Sequence, residues 1–269
     1  MAPDVTTLIE ALPYIREFRG QRFVIRCGAK LDDEYREALC RDLAMLRFVG
    51  VQTVLVHPHE DGGETAPGAG DGRQLVNHQL VHSLGAYGKT TGLSGSDGAP
   101  AWLLSIDERG ELQANADLVL HVIKDYTPVI EAVAVDPGGD VRTADPDLAA
   151  AKLAIALEAY KVILVPGAEP VLIEEDGGRR EVSEMSTATE LVERIVSGPE
   201  TRASVTAGAL AISAGVRFAH LVSSAEPHGL LLELFTDGGS GTKLRSPDAW
   251  AEAAAEKPEK FPASGWRAW

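Results

Sequence analysis

The spacing of apolar residues alternates between a helical period and short extended runs along most of the chain. Apolar positions three and four residues apart predict helices at 8–18, 32–50, 72–88 and 146–160, and near 187–197, 205–215 and 227–236. Short runs rich in β-branched residues predict strands at 22–27, 51–56, 101–106, 118–123, 127–135, 161–165 and 217–222. Alternating elements of this kind are typical of a mainly parallel sheet between helical layers.

The composition is that of a globular protein with a large core and an acidic surface. The chain has 269 residues, 45% of them hydrophobic, and a formal net charge of -15. Nucleic acid and anionic membranes bind basic surfaces, so neither is expected as a partner. The apolar runs are shorter than the ~20 residues of a spanning helix, and the first residues lack a signal-peptide pattern. Because Cys27 and Cys40 form no disulfide framework either, we expect a cytoplasmic location.

An unusual corner follows the strand predicted at 51–56. The chain continues with His57, Pro58, His59 and Glu60, then an aspartate and two glycines. The carboxyl ends of strands in α/β proteins leave a crevice where ligands bind. A phosphate site there is typically built from glycines, whose bare backbone N–H groups can approach the anion, whereas proline has no N–H. The corner therefore indicates a ligand other than phosphate.

Several stretches together resemble acetylglutamate kinase, of the amino acid kinase family, over about residues 7–245. They are "LIEALPYIREFRGQRFVIRCG", "ALCRDLAMLRFVGVQTVLVH", "YGKTTGLSGSDG", "DLAAAKLAIALEAYKVILV" and "AHLVSSAEPHGLLLELFTDGGSGT". The resemblance implies a three-layer α/β/α sandwich that transfers the ATP γ-phosphoryl group to the carboxylate of N-acetylglutamate. It also implies a homodimer or a higher homo-oligomer, because an N-terminal helix like 8–18 joins dimers in arginine-inhibited members.

The resemblance further suggests how the chain is divided. Residues 1–245 are expected to form one domain of two lobes. The first lobe, about 1–145, corresponds to the acceptor and dimerisation side of the family, and the second, 146–245, to its nucleotide side. Residues 246–269 form a C-terminal extension with three of the four tryptophans. By default these are expected to dock on the protein's own surface, and the alternatives are a plug of the pocket or a contact for a protein partner.

The first lobe departs from the family pattern at its glycine loops. Where the family has a lysine, a tyrosine and two glycines after the first strand, this chain has Arg26, Cys27, Gly28 and Ala29. After the second strand the family's histidine is kept as His57, but Pro58, His59 and Glu60 replace three glycines. The lid that grips the acceptor shrinks to "DGGETAPGAGDG". Because phosphoryl transfer depends on positive charge and backbone donors, these changes argue against ATP and Mg²⁺ binding.

The second lobe departs from the pattern at its catalytic lysine and asparagines. Asp147 matches the aspartate that organises the two lysines, while Thr143 and Asp145 stand where asparagines are expected. The second lysine falls near Ala203 or Ser204, in a predicted turn "SGPETRASV". Arg26 and Arg202 are candidates to replace the lysines on either side of Asp147. Alternatively, Arg26 and Asp147 only pair with each other. Gly28, Ala29, Thr143 and Arg202 are the candidate substrate-binding residues.

The chain also gains histidines. His57 and His59 flank Pro58 at the strand end, and His78 and His82 lie four apart on one face of a predicted helix. If these four converge with Glu60, they suit a divalent metal such as zinc, or a general acid/base cluster near neutral pH. The simpler interpretation is that His78 and His82 are half-exposed helix residues and His59 a loop residue.

Three functions remain open from the sequence. The first is a descendant that lost kinase activity and uses its old acceptor pocket, with His57, His59 and Glu60, for other chemistry on an amino-acid-like substrate. The second is a kinase-dead regulatory or scaffold subunit. The third is a divergent kinase that forms an acyl phosphate, with Arg26 and Asp147 as its catalytic residues.

Overall fold

The computed structural model describes residues 5–28, 32–59, 75–175, 178–181, 184–185, 188–236, 239–246 and 248–249. The helices are α1 (Val5–Phe18), α2 (Asp33–Phe48), α3 (Leu75–Gly85), α4 (Asp117–Val122), α5 (Pro146–Ala156), α6 (Ala188–Arg194), α7 (Pro199–Ser213) and α8 (Gly229–Phe235). The first seven strands are β1 (Arg22–Arg26), β2 (Gln52–Pro58), β3 (Thr90–Ser94), β4 (Leu104–Ile106), β5 (Leu112–Ala114), β6 (Thr127–Val135) and β7 (Val141–Thr143). The others are β8 (Lys161–Leu164), β9 (Leu172–Glu175), β10 (Gly178–Glu181), β11 (Glu184–Met185), β12 (Phe218–Leu221) and β13 (Thr242–Arg245).

One sheet runs through both halves of the chain. Its order is β11-β13-β12-β8-β1-β2-β6-β4-β5, and β3 and β7 also pair with β6. The central strands β12, β8, β1, β2 and β6 are parallel, as are β3 and β6. The carboxyl ends of these strands therefore lie along one edge, where the sequence predicts the site.

Helices cover both faces of this sheet, each over its own hydrophobic core. Successive residues of β1 point to opposite faces: Phe23 and Ile25 pack with residues of α2, α3 and α8, whereas Val24 packs with residues of α5 and α7. All three side chains are fully buried. The predicted three-layer α/β/α sandwich around a mainly parallel sheet is confirmed.

Two local predictions are wrong. Residues 118–123, predicted as a strand, belong to helix α4 and to its C-cap residue Ile123. Its apolar run cannot by itself distinguish a short buried helix from a strand. The predicted turn "SGPETRASV" is a helix start, because Gly198 is the N-cap of α7 and Pro199 occupies its first turn, where a missing N–H has no cost. No strand is predicted in the stretches that form β3, β5, β7, β9, β10, β11 and β13.

Some predicted features fall outside the described residues. They are Ala29, Glu60, the shortened lid and nearly all of the extension at 246–269. Within the described part of the chain, no helix combines the length and apolar character needed to cross a membrane.

Candidate functional site

Arg26, the last residue of β1, is a buried cation held by two acceptors. Its Nη2 lies 3.1 Å from Asp147 Oδ2, and its Nη1 donates to the carbonyl oxygen of Val165 at 2.7 Å. The side chains of Arg26 and Asp147 are 8% and 5% exposed. Asp147 lies in the first turn of α5, which packs on the same face of the sheet. The structure therefore places the predicted catalytic pair together, away from solvent.

Ser204 completes this closed cluster. Its hydroxyl donates to Asp147 Oδ1 at 2.8 Å from helix α7. Burial raises the pKa of the Asp147 carboxyl, and the Arg26 charge and the Ser204 hydrogen bond oppose that rise. Asp147 thus contacts Arg26, which stands where the resemblance expects the first lysine. It also contacts Ser204, near which the second lysine is expected. We call Arg26, Asp147 and Ser204 the closed cluster.

The predicted substrate-binding residues do not join the closed cluster. Arg202 is exposed, and its guanidinium donates to the carbonyl oxygen of Ile195, not to Asp147. Thr143 is an exposed residue of β7. Gly28 is buried, and a side-chain Cβ there would lie 3.5 Å from the Val165 carbonyl oxygen, which is ordinary contact. The backbone at Gly28 therefore does not require glycine.

His57 is a buried residue with both ring nitrogens engaged. Its Nδ1 lies 2.9 Å from the Pro58 carbonyl oxygen, and its Nε2 lies 3.0 Å from Asn77 Nδ2. The Asn77 amide also donates to the carbonyl oxygen of Val129 at 3.0 Å, so Nδ2 is the donor towards His57. His57 is therefore the neutral Nδ1–H tautomer. Burial lowers its pKa, which stabilises that neutral form.

The other three histidines of the predicted site, His59, His78 and His82, lie around an open cleft on the α3 face of the sheet. Residues of α3, β3 and β6 line this cleft, whose volume is about 560 Å³. His78 and His82 line it from exposed positions on α3. His59 reaches it indirectly, because its Nδ1 lies 2.7 Å from Oε1 of the lining residue Glu131. We call this feature the α3 cleft.

The described residues do not bring the four histidines of the predicted metal site together as ligands. His57 offers no lone pair to a metal, because Nε2 accepts from Asn77 and Nδ1 carries the proton. Among the residues that the structure describes, which include all four histidines, no group of three or more His, Cys, Asp or Glu side chains is placed to hold a metal ion. Three of the four histidines nevertheless lie near one cleft, as their spacing suggested.

Cys27 does not have the properties of a nucleophile. It is fully buried, and its Sγ lies 3.6 Å from the Val56 carbonyl oxygen. Burial raises the pKa of the thiol to about 12, so it carries no thiolate near neutral pH. Its role is that of a small hydrophobic residue in the core on the α3 face.

The sequence analysis missed two residues that build the α3 cleft. Glu131, in the middle of β6, is in register with His57 of β2 and Ser94 of β3, which brings these three strands to one level. Asn77 lies so near Gly92 that a Cβ there would be 2.2 Å from Asn77 Oδ1. A single polar residue in an apolar strand, such as Glu131, is the signal that could have been noticed.

A second buried network was also missed. Lys161 Nζ lies 3.2 Å from His220 Nε2, and His220 Nδ1 lies 2.6 Å from Glu233 Oε1. Lys161 also lies over the rings of Phe218 and Phe18, at 4.3 and 4.7 Å from their centroids. Burial lowers the pKa of Lys161 to about 7 and that of His220 to about 3. These residues are enclosed, and the His220–Glu233 hydrogen bond joins β12 to α8.

Curated proteins of similar sequence are acetylglutamate kinases. The one from Synechococcus sp. (strain CC9311) is 34% identical over 285 aligned residues, which cover 89% of this chain and 96% of that protein. The one from Parasynechococcus marenigrum (strain WH8102) is 36% identical over 286 residues, covering 89% of this chain and 94% of its own length. No protein-family model matches the chain.

Solved structures of similar fold include N-acetylglutamate synthase from Neisseria gonorrhoeae complexed with coenzyme A and N-acetyl-glutamate. It aligns with a TM-score of 0.69 and 22% identity, covering 90% of this chain and 63% of the synthase. Carbamate kinase from Giardia lamblia bound to AMP-PNP aligns with a TM-score of 0.60 and 13% identity, covering 84% and 99%. These likenesses show the fold, and the curated relatives show the ancestry. The chain belongs to the acetylglutamate kinase family, with the amino acid kinase fold.

Proposed function

We propose that this member of the family no longer transfers phosphoryl groups and that its α3 cleft binds a small amino-acid-like ligand. The observation that carries the proposal is the Arg26–Asp147 ion pair, which is closed off from solvent at the end of β1. The phosphoryl group in the transition state of transfer needs cationic groups and hydrogen-bond donors directed at its oxygens. Here the cation is already neutralised, and its Nη1 is committed to the Val165 carbonyl oxygen.

Releasing Arg26 to a phosphate would be costly. A buried ion pair that loses one partner destabilises a protein by about 3–5 kcal/mol, because the other charge stays desolvated. Asp147 would be left in that position with Ser204 as its remaining donor in the cluster. The hydroxyl of Ser204 carries no charge, so it does not substitute for a lysine at a developing negative charge.

Two carboxylates lie beside the closed cluster, one in α7 and one in the loop after β8. Their negative charge disfavours the phosphates of ATP. Glu200 lies close enough to Asp147 to raise the pKa of that carboxyl, and its Oε2 would be 3.7 Å from a Cβ at Gly167. Glu169 Oε2 would be 2.9 Å from a Cβ at Gly198, the N-cap of α7. A triphosphate at this helix start would meet two carboxylates, although a helix N-terminus otherwise favours anions. These residues support the loss of phosphoryl transfer.

The α3 cleft retains groups that can bind and exchange protons with a ligand. A carboxylate bonded to one imidazole nitrogen orients the ring, as Glu131 does for His59. His78 and His82 add two imidazoles from α3. The cleft volume of about 560 Å³ suits a molecule of amino-acid size. We assign His59 and Glu131 as the acid/base pair and His78 and His82 as ligand-binding residues.

The direct test is phosphoryl transfer itself. The purified chain is incubated with Mg-ATP and N-acetylglutamate, and separately with a panel of free and acylated amino acids, while ADP release is measured. We expect no ADP above the rate without acceptor, with the Synechococcus acetylglutamate kinase as positive control. ADP release that depends on a carboxylic acid and is lost in Asp147→Asn would contradict the proposal.

A kinase-dead regulatory or scaffold subunit is the second candidate, favoured by an apolar surface on α1 and α2. Leu12 is 58% exposed and Phe48 is 86% exposed, and both line an open groove with Ile15 and Met45. Exposed apolar patches of this kind mark protein contacts. If the groove joins copies of this chain, Phe48→Glu lowers the mass measured by light scattering. If it receives a different protein, the mass of the purified chain does not change.

A further inference from the structure

We infer that the α3 cleft recognises a ligand through a protonated amino group, and that it disfavours the N-acylated dicarboxylates on which acetylglutamate kinases are named to act. The inference rests on the proposed function, because it takes the cleft to be a ligand site. It concerns the chemical class of that ligand. A free amine carries a positive charge and donates hydrogen bonds, whereas an N-acetyl group removes the charge.

The first support is an acceptor at the base of the cleft. Asn77 is 9% exposed and lines the cleft, and its Nδ2 donates to His57 and to the Val129 carbonyl oxygen. These bonds leave Oδ1 beside Gly92, another lining residue. Oδ1 receives no hydrogen bond from the described part of the chain. Because Asn77 lines the cleft, an ammonium group entering it would donate a hydrogen bond to this oxygen.

The second support is the charge of the lining. Glu131 Oε1 is hydrogen-bonded to His59, and Asp97 Oδ2 accepts from the backbone N–H of Ser94. The second oxygen of each carboxylate has no hydrogen bond from the described residues. None of the described residues that line the cleft is lysine or arginine. Two carboxylates without a fixed cation attract an ammonium group and repel a dicarboxylate.

The third support is a pair of donors in the same lining. His78 and His82 lie four residues apart on α3 and can donate ring N–H groups. Asn77, Glu131 and Asp97 are acceptors. A ligand with an ammonium group at one end and a polar or carboxylate group at the other matches both sets. A free amino acid or a diamine has this character at its amino end, and an N-acetyl amino acid does not.

The test compares matched pairs of probes on the full-length protein. The probes are L-glutamate and 1,4-diaminobutane, each beside its fully N-acetylated derivative. Binding is measured by calorimetry, and its place by the ring-proton NMR signals of His78 and His82. We expect each free amine to bind at least tenfold more tightly than its acetylated partner and to move both histidine signals. Equal or tighter binding of the acetylated probes, or no binding by any free amine, would overturn the inference.

A charge placed in the cleft gives an independent check that leaves the core untouched. His82→Lys adds a permanent cation at an exposed helix position, and we expect it to weaken 1,4-diaminobutane binding about tenfold. His82→Gln separates loss of the imidazole from gain of charge. His121→Lys makes the same change at an exposed position outside the cleft and should bind like the unaltered chain. Equal weakening by both lysine variants would show a non-specific effect of net charge and overturn the inference.

These outcomes are distinct from those of the phosphoryl-transfer assay. Acid-dependent ADP release overturns the loss of kinase activity whether or not the cleft prefers amines. Tight binding of N-acetyl-L-glutamate without ADP release overturns the amine inference and leaves the loss of phosphoryl transfer intact.

Discussion

The closed cluster and the α3 cleft lie on opposite faces of one sheet, and they treat polar groups in opposite ways. In the closed cluster, Arg26 and Asp147 pair with each other and are almost fully buried, with Arg26 Nε left as a buried donor that has no partner among the described residues. In the cleft, Glu131 and Asp97 keep one carboxylate oxygen each without a hydrogen bond from the described residues, beside space for a ligand. A charged side chain near a strand end therefore indicates function only when a ligand can still reach it.

The physical reason for this contrast is the layer that covers each group. Arg26 points towards α5 and α7, and the small residues Ala149, Ala150 and Ala151 of α5 pack tightly on the sheet. The side chains of β3 and β6 that face α3 meet a helix with exposed polar positions. Tight packing excludes water and forces ions to pair, whereas an open face leaves them hydrated.

The largest expected effect would come from breaking the closed cluster. Asp147→Ala leaves the Arg26 guanidinium buried with no counter-charge, so we expect the free energy of unfolding to fall by about 3–5 kcal/mol. Urea unfolding followed by circular dichroism measures it. The double variant Arg26→Met/Asp147→Leu removes both charges and should regain most of the loss. Unfolding of Asp147→Ala at the same urea concentration as the parent would show that the cluster is not closed.

The Lys161 network extends the comparison to pH. Because burial lowers the pKa of Lys161 to about 7, the unfolded chain binds a proton that the folded chain does not between that pH and about 10. Stability from this group is therefore present above the unfolded pKa and lost as pH falls towards 7, by on the order of 5 kcal/mol. Lys161→Met should flatten this part of the stability profile. An unchanged slope would show that Lys161 titrates normally.

The four histidines allow a comparison of buried and exposed positions. His57→Ala removes a fully buried ring with two hydrogen bonds, and we expect a loss of about 2 kcal/mol in unfolding free energy. His82→Ala changes an exposed residue and should stay within about 0.5 kcal/mol. Chemical denaturation of both variants checks the difference. Equal losses would mean that His82 is packed as His57 is.

The smallest expected effect concerns Arg202. Its guanidinium bonds the Ile195 carbonyl oxygen from an exposed position, so Arg202→Ala should cost about 0.5 kcal/mol or less. A double-mutant cycle with Asp147→Asn should give a coupling energy near zero, because the two side chains share no partner. A coupling above about 1 kcal/mol would place Arg202 in the closed cluster after all.

The sequence was sufficient for most of the fold. The apolar runs of β1, β2, β6 and β8 and the amphipathic pattern of α2 predict their own elements to within a few residues. Helix α2 also carries its boundary in its residues, since Asp32 caps it by accepting from the Tyr35 N–H. The misassigned segment at 118–123 failed because a six-residue helix is too short to show its period.

The site was predicted less completely, for a physical reason. The resemblance brought Arg26 and Asp147 together, and the spacing of His78 and His82 put both on one helix face. Neither the resemblance nor the spacing could show that Asn77 donates a hydrogen bond to His57 Nε2. Nor could they show that Glu131 bonds His59, which lies 72 positions away in the chain. Contacts between residues far apart in sequence depend on how the strands are ordered in the sheet.

The layered α/β architecture, the family and the residues that differ from its pattern all follow from the order of residues along the chain. Periodicity and local caps are properties of neighbouring residues, so they can be read along the chain. Only the tertiary structure decided that Arg26 is buried against Asp147 and Ser204, and that Glu131 and Asp97 lie beside an open cleft. Burial sets whether a polar group is satisfied internally or offered to a ligand, and burial exists only once the layers have packed.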